Sequence, residues 1–166
     1  LSAALQPGAK AFGSQAHGPW VTSGVVTATA NEIYNDIQSL YIQLVAQQSL
    51  GAIDMETPMK ICLSPGSSIA MTATNSFNVN VADLLKKNFP NLRVETAPEY
   101  ATAAGNVVQL IADNVQGQDT GTCAFNEKMR AGPVIREMSA YKQKKTQGTW
   151  GAIIKQPFAI SQMLGV

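Results

Sequence analysis

Apolar residues recur at spacings of three and four through NEIYNDIQSLYIQLVAQQSLG, Asn31 to Gly51. Ile33, Ile37, Leu40, Tyr41, Leu44 and Val45 fall on one stripe, while Glu32, Asp36, Gln38, Gln43 and Gln47 fall mostly off it. This pattern predicts a helix with one face in a core. Glu32 and Asp36 sit in the first turns, where the helix dipole favours negative charge. Asn31 or the neighbouring Thr29 can cap the helix, and Gly51 can end it. The period changes in PMKICLSP, Pro58 to Pro65, where Met59, Ile61 and Leu63 alternate with Lys60, Cys62 and Ser64 as in a strand. A short helix carrying Ile69, Ala70 and Met71 is predicted to begin near Pro65 to Ser68. A second amphipathic helix is expected in NVADLLKKNFP, with Val81, Leu84, Leu85 and Phe89 on one face, Asn80 as cap and Pro90 as stop.

Downstream, NLRVETAP and NVVQLIAD read as strands separated by a loop at 98–105. Thr122 to Tyr141 is expected to hold further strands broken at Gly132 and Pro133, and Thr149 to Lys155 a final core strand. Residues 1–29 are rich in Gly, Ala, Ser and Thr with no sustained period, an extended lead-in that needs something to lie on. Helices and strands mix without regular β-α-β order, so the expected class is α+β, a mixed central sheet flanked by helices. The expected division is a lead-in at 1–29 and one domain at 30–166, whose core anchors include Ile37, Leu40, Leu44, Trp150 and Phe158.

Composition changes the picture in one respect. Only 14% of the 166 residues are charged, against about 25% in ordinary soluble domains. Ala, Thr, Ser, Gln, Asn and Gly stand where charges would cover a monomer, so much of the surface is expected to face other protein. The net charge of +1 creates no overall field toward nucleic acid or an anionic membrane. No stretch approaches the roughly 18 uninterrupted apolar residues of a membrane span, and no signal peptide opens the chain. A soluble, unexported protein is expected. Cys62 and Cys123 form neither a disulfide framework nor a finger spacing, and two free thiols in a reducing compartment are expected.

The search for chemistry finds plain structural roles. His17 is the only histidine and lies in the lead-in, so a triad or a multi-histidine metal site lacks its usual base or ligand. SPGSS, Ser64 to Ser68, matches neither a phosphate-binding loop nor a nucleophile elbow and reads as a helix start. GQDTGTC, Gly117 to Cys123, is a turn with a single carboxylate, too few for calcium. Asp54 with Glu56, and Glu95 with Glu99, read as solvated loop charges rather than a hydrolytic pair. Lys142, Lys144 and Lys145 form the one basic run, and without interleaved aromatics they read as a solvated hairpin or a protected sheet edge. No catalytic, metal or cofactor residue is assigned.

Taken in order, TPMKICLSPGSSIAM after an amphipathic helix, then LRVETAP, GNVVQLIAD and GTWGAIIKQPFAI resemble the C-terminal part of a tailed-bacteriophage major capsid protein of the Hong Kong ninety-seven fold. The resemblance spans roughly residues 20–166 and is similar in particular to phage-derived coat proteins grouped as a domain of unknown function. It departs at Lys155 and Gln156, at Thr146 and Gln147, and at Gln162 to Leu164. It implies an axial domain plus a strand returning to a peripheral domain, with an N-terminal arm, extended loop and spine helix preceding it in a longer polypeptide. It further implies a structural, non-enzymatic coat subunit of a phage or prophage, made in the bacterial cytoplasm and found in the virion. Its partners would be copies of itself in pentamer and hexamer capsomers, then scaffold or decoration proteins, with packaged DNA touched only indirectly. Loops at an axial tip would carry the contacts, which singles out Pro98, Tyr100, Thr102 and Gly105, and Gly117, Gln118, Asp119 and Thr120. The alternative is a small phage accessory or ligand-binding α+β module without catalysis. A third reading is an enzyme built on backbone donors and carboxylates.

Overall fold

The computed structural model describes residues 18–46, 51–103 and 105–166. His17 and most of the lead-in lie outside the described residues. The chain divides into two units, residues 1–120 with 156–166, and residues 121–155. In sequence the second unit interrupts the first near its C-terminal end.

The larger unit begins with the short pair β1 (Val21–Thr22) and β2 (Val25–Val26), then α1 (Ala30–Ala46). Thr29 and Glu32 form a reciprocal cap: the Thr29 N–H donates to the Glu32 carboxylate at 2.7 Å and the Glu32 N–H to Thr29 Oγ1 at 3.4 Å. Next come β3 (Met59–Leu63), the one-turn helix α2 (Pro65–Ser68) and a 3-10 turn at Ile69–Thr72. Ser64 caps α2 by accepting the Ser67 N–H at 3.1 Å, and Pro65 occupies the first turn, where its missing N–H costs nothing. Helix α3 (Val81–Asn88) follows with Asn80 as cap, accepting the Asp83 N–H at 2.7 Å. Then come β4 (Leu92–Thr96), β5 (Ala101–Thr102), β6 (Gly105–Ala112) and the small pair β7 (Asn114–Val115) and β8 (Gln118–Asp119).

After the second unit, made of β9 (Gly121–Glu137) and β10 (Ala140–Ile154), the chain re-enters the first at β11 (Ile160–Leu164). The central sheet runs β11-β6-β3-β4, with β5 also on β6. Only β3 and β4 are parallel.

Register decides which side chains share a face. Met59, Ile61, Val108, Leu110, Ala112 and Met163 lie on one side and are almost fully buried. Helix α1 supplies Ile33, Ile37, Leu40 and Leu44 to the same core. Each such side chain contributes roughly 1.5–3 kcal/mol by leaving water. Phe89 meets Tyr41 edge to face with ring centroids 5.1 Å apart. Trp20, fully buried, donates its indole N–H to Asp36 at 2.7 Å. The part of the lead-in around Trp20 therefore lies on α1, and one buried carboxylate gains a partner.

Three expectations fail on the C-terminal side. Trp150 is 75% exposed and Phe158 41% exposed, so neither is a core anchor. Thr149 to Lys155 is not a core strand but largely the exposed end of β10, paired with β9. The strand that returns to the body is β11, and it pairs with β6 inside the main sheet.

Candidate functional site

The second unit is a two-stranded antiparallel hairpin whose strands meet at Met138 and Ser139. Pro133 does not break β9. Register shifts between Gln143 and Lys145, on either side of Gly148, and between Thr149 and Gly151 take up the residues that cannot keep the ladder. Gly151 takes a positive φ of 84° at the last of these shifts. Nearly every residue of the hairpin is exposed, and the exposed set includes Phe125, Met129, Val134, Ile135, Tyr141, Trp150 and Ile153. Near the tip Val134 pairs with Gln143 and Ile135 with Lys142. Adjacent pairs point to opposite faces, so large apolar groups stand on both sides of the ribbon.

Charge is divided between the units. The hairpin 121–155 holds seven lysines and arginines against two glutamates, a net of +5, and the remaining residues hold five against nine, a net of −4. Lys142 pairs with Glu137 at 2.7 Å across the tip. Among the described residues Lys128, Arg130, Arg136, Lys144 and Lys145 make no ion pair. The near-neutral chain thus conceals a basic hairpin and an acidic body, separated at a boundary that composition alone does not mark.

The contact loops expected from sequence have mixed placements. Pro98 opens a 3-10 turn and is exposed, and Thr102 is exposed on β5. Gly105 starts β6 at φ 116°, where an added Cβ would come within 3.1 Å of the Gly165 backbone, so its glycine serves close packing. Gly117, Gln118 and Asp119 are exposed in the β7–β8 turn, with Gly117 at φ 78°. Thr120 is a correction: it is 3% exposed and donates its hydroxyl to the Ala112 carbonyl, which removes it from any contact surface.

Tyr100 is half-buried. Its hydroxyl donates to Gln109 at 2.9 Å, and Gln109 donates to Gln162 at 3.1 Å across β6 and β11. This chain of amides satisfies polar groups on the sheet face opposite α1. Burial, and then the neighbouring Cys62, push the Tyr100 phenol up, and burial likewise pushes the Cys62 thiol up. On the same face Lys60 lies 3.6 Å from Glu95 and 3.5 Å from Asp113. Asp54 is held below the usual carboxylate range by the Thr57 hydroxyl and by backbone N–H groups, as in a turn-forming side chain. Among the described residues no three His, Cys, Asp or Glu side chains gather as a metal site requires, and no helix is long and apolar enough to cross a membrane.

Sequence reading missed two surfaces. One is the hairpin as a single long ribbon. The other is Phe77, 84% exposed in the loop before α3; its setting in TNSFNVN, rich in turn residues, is the signal that could have revealed it.

The fold is similar to solved capsid structures. The capsid of Myoviridae phage XM1 superposes with a TM-score of 0.70 at 12% identity, covering 84% of this chain and 47% of that one. A virus-like particle from Pyrococcus furiosus gives 0.58 at 14% identity, covering 86% and 53%. Mycobacterium phage Che8 gives 0.55 at 8% identity, covering 89% and 53%. The chain spans about half the length of these solved chains. No curated protein sequence matches it. Residues 1–165 match the family described as Pa193 gp26 major capsid protein, and a match of that extent means that the chain belongs to this major capsid protein family.

Proposed function

We propose that the chain is a structural, non-catalytic coat subunit of a tailed phage or prophage, and that its copies join into capsomer rings and then a closed shell. The hairpin Gly121–Lys155 carries this reading. A two-stranded ribbon is marginally stable by itself, and this one holds Trp150, Tyr141, Val134 and Ile135 in water. Such a ribbon becomes stable when further protein covers it. In a shell that cover is other coat polypeptide, and the low charged fraction of the whole chain suits a surface largely buried in assembly.

On this reading residues 30–166 form the axial part of the subunit, grouped around a five- or six-fold axis, with a C-terminal strand that returns toward a peripheral part. The partners are copies of the subunit, with scaffold or decoration proteins as further ones and packaged DNA only indirectly. The subunit is made in the bacterial cytoplasm and resides in the virion. The test is to express the full reading frame and examine the purified product by negative-stain electron microscopy and light scattering. Closed shells, or rings of five or six copies, are expected. A discrete monomer or dimer at every salt concentration overturns the reading.

A further inference from the structure

The outer half of the hairpin has two unlike faces. From Gln143 to Lys145, and again from Thr146 to Gly148, β10 advances two residues while β9 advances three, Val134 to Ala131 and Arg130 to Glu127. The extra residues therefore sit in β9, and side chains along β10 keep alternating between faces from Ala140 to Gly148. Residues paired across the ladder share a face. Glu137, opposite Ala140, and Glu127, opposite Gly148, thus stand on the same face. The other face carries Tyr141 opposite Arg136, Gln143 opposite Val134, and Lys145 opposite Ala131. Both glutamates of the hairpin lie on one side, so the other presents two cations, an aromatic ring and an aliphatic group with no carboxylate. All four side chains are exposed, and Arg136 and Lys145 make no ion pair among the described residues. An arginine beside a tyrosine on an apolar patch is the composition of an interface centre.

The body offers a surface of opposite sign. Where β3 begins and β6 ends, the Asp113 N–H donates to the Pro58 carbonyl at 2.9 Å and the Thr120 N–H to the Asp113 carbonyl at 3.0 Å. These bonds bring the loop of Asp54 and Glu56 and the turn of Asp119 to one end of the sheet. Asp54 is engaged by Thr57 and Asp113 by Lys60, whereas Glu56 and Asp119 are exposed and make no ion pair among the described residues. The division of charge, +5 on residues 121–155 and −4 on the remainder, is repeated on every copy. A face without carboxylates meets this end of the sheet with no like-charge opposition from an acid of its own.

We propose that the Arg136–Tyr141–Lys145 face of one copy's hairpin docks on the Glu56–Asp119 end of the sheet in a second copy. The inference deepens the coat-subunit reading above and rests on it. In the nuclease-treated full-length subunit, Arg136→Glu with Lys145→Glu raises the concentration needed for assembly at least tenfold. Glu56→Lys with Asp119→Lys does the same, and both variants keep the parent's thermal midpoint, because the four side chains are exposed. All four changes on one chain bring assembly back near the parent's concentration, because the two reversed surfaces again have opposite signs. Carbodiimide coupling of an assembled equal mixture of nitrogen-15-labelled and unlabelled subunits joins Lys145 to Glu56 or Asp119 through peptides of mixed label. If the fourfold variant is folded but stays disassembled, or if coupled peptides always share one label, the contact between copies is wrong while the coat reading stands. The contact is equally wrong if the parent retards a DNA duplex and the Arg136→Glu, Lys145→Glu variant does not, yet assembles like the parent; the face then reads nucleic acid. If the parent forms neither rings nor shells, both readings fall together.

Discussion

The stripe Ile33, Ile37, Leu40 and Leu44 is buried to within 2% of complete, and its spacing alone points to that. Leu40→Ala removes a fully enclosed side chain and is expected to cost about 3–4 kcal/mol. Urea denaturation of the subunit measures it. Trp150 is the instructive contrast. Its bulk suggests a core position, yet it stands 75% exposed on β10, so Trp150→Ala should leave the same midpoint within about 0.5 kcal/mol while weakening assembly. A loss of several kcal/mol in the isolated subunit would show Trp150 to be internal after all. The two cysteines should also separate. Cys62 is half-buried with its thiol pushed up, chiefly by desolvation, whereas Cys123 is exposed. At neutral pH a chromogenic disulfide reagent is expected to modify one thiol per chain quickly, and Cys123→Ser should remove that fast phase. Two equally fast thiols would mean that the β3 face is open.

Among the elements, those with a period and a cap were legible. Helix α1 shows its stripe, α3 its Asn80 cap and Pro90 stop, and β3 its alternation between prolines. Strand β11 was not legible, because Ile160, Ser161, Gln162 and Met163 are all buried and a strand covered on both faces shows no alternation. The Gln162 side-chain oxygen accepts from Gln109 on the neighbouring strand, a partner no local pattern announces. The hairpin misled differently: Gly132 and Pro133 signal a break, and the bulges that absorb them depend on the opposite strand. The elements also fix how the insertion joins the body. The Gln156 N–H bonds the Thr120 carbonyl at 3.3 Å, so the two ends of the hairpin meet at one point. Replacing residues 121–155 with a three-residue Gly-Ser-Gly link is therefore expected to leave a folded body with unchanged cooperative unfolding and no capacity to form shells. Circular dichroism and electron microscopy read both halves, and a body that fails to fold would show that the hairpin is part of its stability.

At the scale of the whole molecule, a chain of net charge +1 consists of a hairpin at +5 and a remainder at −4. Opposite fields on two units of every copy attract hairpin to body between copies, which speeds encounter more than it tightens the final contact. The initial rate of assembly is expected to fall roughly tenfold between low and moderately high salt, as screening shortens the reach of these fields. A rate that rises with salt, followed by light scattering, would mean that apolar contact alone governs association. The sequence by itself determined the α+β class, the helices with their caps, the central strands β3, β4 and β6, and the absence of familiar catalytic motifs, because each depends on periods and neighbours a few residues apart. Its sparse charge, 14% of residues, raised the expectation of a surface that faces other protein. Only the tertiary structure decided which apolar residues are core and which are contact. Leu40 and Trp150 are alike in hydrophobicity and differ only in what is folded above them, and that depends on strand pairing and layer packing between residues more than a hundred positions apart.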